Sequence, residues 1–158
     1  MDYSTTIKRL KDRIIKELAA ELELVAKNIE KARQDAIDAP GRMQARYDTT
    51  KQESSYLFGA FTSRSQEIEE SIDTIKNLNL AGPAAAIDVG SIVFLDLGEG
   101  QKIFWILPIG GGKSIKDEEL GEISVLNIDA PLFKVIHSKQ SGDTAILNGK
   151  KIKIIKVI

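Results

Sequence analysis

Proline and glycine, the residues that interrupt helices most strongly, are concentrated in the second half of this 158-residue chain. The first 80 residues contain one proline and two glycines, whereas the rest contain three prolines and ten glycines. A segment almost free of both can form long helices, and a segment rich in them favours turns. The distribution therefore predicts two domains, a helical one over residues 1–79 and one of strands and turns over residues 80–158.

Two apolar stripes with helical spacing run along the first half. One recurs every three or four residues from Ile7 to Ala36. The other runs from Met43 to Ile75 and is interrupted by polar residues, among them Arg64. Because this spacing places apolar side chains on one side of an α-helix, we expect two amphipathic helices.

The predicted helices cover residues 4–37 and 42–78, with the helix breaker Pro40-Gly41 between them. Neither helix can bury its own stripe, so an antiparallel hairpin in which each stripe covers the other is the simplest arrangement. At 1.5 Å per residue each arm is about 50 Å long, and we expect the turn to project from the rest of the molecule. A compact bundle and an intermolecular coiled coil are the alternatives.

The second half reads as a four- or five-stranded antiparallel sheet wrapped over one short helix. Asp129 is the expected N-cap of this helix, with Pro131 in its first turn. Asn148-Gly149 is typical of a two-residue hairpin turn. The predicted strands are 91–97, 102–107, 122–126, 144–147 and 151–157, and the predicted helix is 130–138.

The charge and residue content exclude several classes of function. Lysine and arginine total 22 against 23 acidic residues, a balance that does not fit a general nucleic-acid-binding surface. The absence of cysteine excludes disulfides and thiol catalysis, and a single histidine excludes a His-rich metal site. The chain also lacks the apolar stretch of a signal peptide or a membrane span, so we expect a cytoplasmic protein without membrane association.

Two short features contain residue types found in ligand-binding or catalytic sites, but each has a simpler structural interpretation. The run Gly110-Gly111-Gly112-Lys113-Ser114 lacks the first glycine of a phosphate-binding loop, because Leu107 stands there, and no long helix follows it. A strand connection is the better interpretation. His137, the only imidazole, is interpreted as a helix-end residue.

Residues 123–157 combine an Ile-Ser pair, a turn with proline into an amphipathic helix, a Gly-Asp turn and a final strand. The pairs that carry this pattern are Ile123-Ser124, Ala130-Pro131, Gly142-Asp143 and Asn148-Gly149. The pattern resembles the C-terminal region of the bacterial Gre-type transcript cleavage factors, and Val89-Gly90-Ser91 also fits.

The resemblance implies a fold class and a partner. The fold is a long antiparallel α-helical hairpin followed by an FK506-binding-protein-like (FKBP-like) antiparallel sheet on one short helix. The partner is RNA polymerase, and the factor binds it through its C-terminal domain. The factor is expected to be a monomer without enzymatic activity of its own. The hairpin enters the secondary channel and so comes close to RNA and DNA. The docking candidates are Ile128, Asp129, Pro131 and Phe133.

The tip of the hairpin departs from the family pattern. The family has an Asp and a Glu three residues apart there, which the hairpin brings to the catalytic Mg²⁺ of the polymerase. In this chain Asp38 can stand for the first, as a metal ligand within a polymerase complex, but Gly41 occupies the second position. Cleavage stimulation is therefore doubtful, and no cofactor is expected apart from Mg²⁺ shared with polymerase. The remaining tip candidates are Asp35, Arg42, Arg46 and Asp48.

Two other classes of function remain open from the sequence. A prolyl isomerase would need the aromatic residues of the second half to converge on one shallow site; these are Phe94, Phe104, Trp105 and Phe133. A structural coiled-coil protein would instead bind another helix through the interrupted second stripe.

Overall fold

The computed structural model describes residues 2–38, 44–80 and 82–158, with the side chains of all of these except 36–38 and 44–55. The chain divides into two compact units. One combines the start of the first helix, as far as Ile14, with the chain from Leu78 onward, and the other is Ile15–Asn77. The elements in chain order are α1 (Tyr3–Asp38), α2 (Gln44–Asn77), β1 (Ile92–Asp96), β2 (Gln101–Leu107), β3 (Ser114–Asp117), β4 (Gly121–Asn127), α3 (Pro131–Ile136), β5 (Thr144–Leu147) and β6 (Lys150–Val157).

Helices α1 and α2 form the predicted hairpin, and their bounds lie within two residues of the predicted ones. Within the Ile15–Asn77 unit, Leu18 and Val25 of α1 and Ile68 of α2 are buried. Burial of these stripe positions confirms that helical periodicity selected the packed side of each helix.

The sheet has six strands in the order β3-β4-β2-β1-β6-β5. The general fold class is confirmed, but two details of the prediction are wrong. Strand β3 was missed because Ser114-Ile115-Lys116-Asp117 contains one apolar residue. Strands β2 and β4 pair in parallel, with Trp105 opposite Val125, because the connection between them includes β3 and returns the chain to the same direction. The likeness to the FKBP fold stays a prediction.

Both faces of the sheet are buried at its centre. On one face α3 contributes Phe133 and Ile136 to a core with Val93, Leu95 and further residues, namely Ile87, Ile106, Leu126, Ala145, Ile152 and Ile154. On the other face Ile92, Trp105, Leu107, Ile115 and Ile123 are fully buried. The first turns of α1, which belong to the same unit, supply the buried residues Ile7, Leu10 and Ile14. We infer that α1 begins as the cover of the second face.

The short helix α3 begins differently from the prediction. Its N-cap is Ala130, which makes no side-chain capping hydrogen bond, and Pro131 follows in the first turn as predicted. Asp129 precedes this cap residue, and its N–H donates to the Asn127 side-chain oxygen at 3.0 Å in the preceding turn. His137 is the C-cap, as its helix-end interpretation predicts.

The turn between β5 and β6 confirms the Asn-Gly prediction. Asn148 and Gly149 have φ angles of 52° and 75°, and Leu147 pairs with Lys150 across the two-residue loop. These are the angles of a type I′ turn, which requires positive φ at both positions.

Gly149→Ala is expected to lower the free energy of unfolding by about 1 kcal/mol, because a Cβ atom is strained at positive φ. The measurement is urea denaturation. Gly82→Ala is the matched control, since Gly82 has no positive φ and a Cβ atom added there would have no heavy atom within 4 Å. Equal losses in the two variants would contradict the explanation.

Candidate functional site

Most of the tip candidates fall outside what the structure describes. Asp35 is exposed on α1. Arg42 lies outside the described residues, as do the side chains of Asp38, Arg46 and Asp48. Within the described part of the chain, no group of three or more His, Cys, Asp or Glu residues is placed to hold a metal. A carboxylate site for Mg²⁺ at the tip therefore stays a prediction.

The apolar stripe of α2 is buried near the end of the helix and exposed farther along the hairpin. Within the stripe, Ile68 is buried, whereas Leu57 is about half exposed. Tyr56 and Phe58, which flank Leu57 outside the stripe, are 82% and 46% exposed. Leu24 of α1 is 60% exposed as well. We call Leu24, Tyr56, Leu57 and Phe58 the arm patch. Leu57 belongs to the interrupted second stripe and Tyr56 and Phe58 flank it, so apolar side chains are exposed along this part of α2.

The arginine that interrupts the second stripe links the two helices. Arg64 of α2 pairs with Glu21 of α1 and, at 3.2 Å, with Glu67 one turn away on its own helix. Hydrogen bonds to these two carboxylates, Glu21 foremost, raise the pKa of the Arg64 guanidinium above its ordinary value. The position therefore holds a charged contact across the hairpin where the periodicity predicted an apolar one.

The sequence analysis missed an ion pair that connects the start of α1 to the β3–β4 turn. Arg9 donates two hydrogen bonds to Asp117, at 2.7 and 2.9 Å, and a third to Glu119 at 3.2 Å. The Asp117 side chain is fully buried and also accepts the backbone N–H groups of Glu119 and Leu120 at 3.0 Å each. These donors, Arg9 foremost, hold the pKa of Asp117 below its ordinary value of 3.8.

A second arginine one turn along α1 reinforces this attachment. Arg13 donates to the backbone carbonyl of Lys116 and pairs with Glu118 at 3.4 Å. The i, i+4 spacing of Arg9 and Arg13 was a possible signal, but similar charges occur along the whole helix and nothing local marked these two. The attachment fixes α1 on the edge strand β3.

The predicted docking residues occupy the turn from β4 into α3. Asp129 and Pro131 are exposed there, whereas Ile128 is half-buried against the core. Phe133 is 9% exposed and its ring lies 5.0 Å from that of His137. A partner at this turn would contact Asp129 and Pro131, while Phe133 would support the turn from beneath.

The triple-glycine run has the geometry of a strand connection. The Gly112 N–H donates to Val125 O at 3.0 Å and the Lys113 N–H to Gly110 O at 3.3 Å. A Cβ atom at Gly111 would lie 2.7 Å from that of Asn127. Two backbone donors are thus used within the fold, and glycine permits the loop to approach β4 closely.

The four aromatic side chains of the second half do not line one open site. Trp105 and Phe94 lie on one face of the sheet, whereas Phe104 and Phe133 belong to the core on the other face. Trp105 is fully buried. The four aromatic residues are thus divided between the two faces of the sheet, and the isomerase alternative stays a prediction.

The described residues therefore define a class of fold, a helical hairpin followed by an α+β domain. None of the helices, over their described residues, has the length and apolar character needed to span a membrane.

No protein-family model and no curated protein sequence matches the chain. It is similar to solved structures described as the transcription factor Gfh1 (13% identity, 90% of this chain and 92% of that chain, TM-score 0.36) and GreA factor homolog 1 of Thermus thermophilus (15%, 91% and 94%, 0.35). Gfh1 of Thermus aquaticus is similar at 16% identity, with 90% and 92% covered and a TM-score of 0.34.

Proposed function

We propose that this protein is a Gre-like regulator that binds RNA polymerase and inserts its helical hairpin into the secondary channel. The C-terminal domain supplies the docking surface, and the two long helices supply the reach. The protein acts as a cytoplasmic monomer, has no catalytic activity of its own and approaches RNA and DNA only within the polymerase complex.

One combination of features supports the proposal. Residues 123–157 carry the Gre-type pattern, and they follow two helices of 36 and 34 residues, each about 50 Å long. A hairpin of this length has the reach to enter a deep channel. The similar solved structures are described as those of a transcription factor and a GreA homologue, which is the class of function proposed here.

Binding is tested by retention of the full-length protein on immobilised RNA polymerase. Replacing the exposed pair Asp129 and Pro131 with alanine should weaken retention by about tenfold, because the partner loses its central contacts. Glu122→Ala, which removes an exposed carboxylate from β4 of the same domain, is the matched control. Absence of retention of the unmodified protein would contradict the proposal.

We further propose that the regulator does not stimulate transcript cleavage. Gly41 stands where the second carboxylate of the Gre-type tip is required, so Mg²⁺ would have one tip ligand instead of two. In stalled elongation complexes the protein should leave the transcript at its full length. When nucleotides are added, it should change the rate of elongation. Transcript shortening caused by the wild-type protein would contradict this, and its loss in Asp38→Ala would assign the cleavage to the tip.

The arm patch favours a second candidate function, binding of another helix by the hairpin. Its exposed apolar residues are suited to packing against a partner's apolar stripe. Tyr56→Ser/Phe58→Ser should abolish self-association seen by analytical ultracentrifugation if the partner is a second copy. A monomeric wild-type protein over the whole concentration range would contradict a second copy as the partner.

A further inference from the structure

We propose that strand β5 binds an extended acidic segment of a partner protein as an additional strand of the sheet. This inference concerns the edge of the sheet formed by Thr144–Leu147 and does not depend on the proposed action on RNA polymerase. It is carried by the backbone geometry of β5, the absence of edge protection and the charge of the neighbouring strand.

The backbone of β5 has hydrogen-bonding groups that face away from the sheet. The strand order ends at β5, whose one neighbour is β6. Ile154 N–H donates to Asp143 O at 2.9 Å, and in an antiparallel pair hydrogen-bonded positions alternate. The N–H and C=O groups of Thr144 and Ile146 therefore point outward, and no hydrogen bond to them occurs among the described residues.

The two edges of the sheet are protected differently. At β3, Arg13 bonds the Lys116 carbonyl and Arg9 pairs with Asp117, so α1 covers that edge. Strand β5 consists of Thr-Ala-Ile-Leu, with no charged residue and no proline, and Ile146 is 69% exposed. Lysine, proline and β-bulges commonly protect edge strands, and Thr144–Leu147 carry none of these. The bulge in which Gly142 and Asp143 both bond to Ile154 ends before this segment.

The strand next to this edge is strongly basic on its exposed face. Lys153 lies opposite Thr144 and Lys151 opposite Ile146, and Lys156 lies 5.8 Å from the centre of the Phe94 ring on the same face. None of these lysines makes an ion pair with another described residue. Asp96 is the single carboxylate on this face of β1, β5 and β6, as far as the structure describes it. Acidic side chains on an added strand would complement this charge.

The geometry favours a peptide over the other possible occupants. A peptide strand offers both donors and acceptors, which match the outward N–H and C=O groups of Thr144 and Ile146. Nucleic acid phosphates offer acceptors alone and would leave the two carbonyls unpaired. A second copy paired β5 to β5 would bring two sets of lysines, Lys151 and Lys153 of each chain, toward each other on one sheet face.

The test is an NMR titration of the full-length protein with a short, end-capped peptide of alternating glutamate and valine. The expected result is chemical-shift change and slowed hydrogen exchange at the Thr144 and Ile146 amides. Ile146→Pro removes an outward N–H without removing a bond to β6 and should abolish binding, whereas Ile146→Ala keeps that N–H and should retain it. Unchanged Thr144 and Ile146 amides in the wild type would overturn the proposal.

Charge is tested separately, with variants that leave β5 intact. Lys151→Glu/Lys153→Glu should weaken peptide binding at least about tenfold. The matched control is Lys102→Glu/Lys116→Glu, which changes two exposed strand lysines on the opposite face and should leave binding unchanged. Equal loss in both pairs would overturn the proposal, as would displacement of the peptide by an oligothymidylate or β5-dependent self-association in ultracentrifugation.

Discussion

Asp117→Ala is expected to lower the free energy of unfolding of the sheet unit by about 3 kcal/mol. The carboxylate is fully buried and accepts hydrogen bonds from Arg9 and from the N–H groups of Glu119 and Leu120. Removing it leaves these donors without their acceptor in a region with little access to water. The measurement is urea denaturation followed by the fluorescence of Trp105, the single tryptophan, which is fully buried in β2.

Arg13→Ala is the matched control for this prediction. Arg13 lies one turn along α1 and pairs with Glu118, whose side chain is 86% exposed. An exposed pair contributes little to stability because water screens it, so the loss should be much smaller than for Asp117→Ala. Equal losses in the two variants would show that burial of Asp117 is not the cause.

The same carboxylate should make the stability of the sheet unit depend on pH. Its pKa in the folded protein lies below the ordinary value of 3.8, chiefly because Arg9 donates to the charged form. Its contribution is therefore complete above about pH 3.8 and is lost as the pH falls below that value through the folded pKa. The stability difference between the wild type and Asp117→Asn should shrink over this acid range and stay constant above about pH 5. A constant difference at all pH values would contradict the assignment.

Leu10→Ala is expected to destabilise the sheet unit by about 2–5 kcal/mol, which is the usual cost of this substitution in a core. Leu10 is completely buried on α1, in the same compact unit as the sheet. Trp105 fluorescence during urea denaturation should report the loss directly. The result would establish that the first turns of α1 are part of the core of the C-terminal unit.

Leu24→Ala provides the comparison within the same helix and the same residue type. Leu24 is 60% exposed in the arm patch, so its replacement should change stability by less than about 0.5 kcal/mol. Any role of Leu24 in partner binding would then appear without a change in folding. A loss of unfolding free energy comparable to that of Leu10→Ala would mean that Leu24 is packed within the fold and not exposed.

Several features of the fold were predictable because they depend on short-range pattern. Helical spacing gave the two long helices, and the Asn148-Gly149 turn followed from the residue types that tolerate positive φ. Five of the six strands were found for the same reason. The continuous apolar runs of β1 and β2 were also a signal, because such runs are typical of strands buried on both faces. Taken that way, they would have predicted a second cover for the sheet.

The candidate site was less accessible to sequence analysis. The turn containing Asp129 and Pro131 was singled out through its resemblance to the Gre-type pattern. Both residues are exposed, and their docking role stays a prediction. The open edge at β5 could not be found in this way. Whether a strand lies at an edge depends on the order of all six strands, and its four residues carry no sign of that order.

The sequence by itself determined the period, length and turns of the elements, since these depend on residues within a few positions of one another. The tertiary structure alone decided which surfaces meet. Arg9 and Asp117 are 108 positions apart, and many other oppositely charged pairs were equally possible from composition. The parallel pairing of β2 with β4 was also decided by packing over the whole chain. The same holds for the burial of Leu10 and the exposure of Leu24 on one helix. Partner choice depends on the summed packing of the whole chain, which no local pattern encodes.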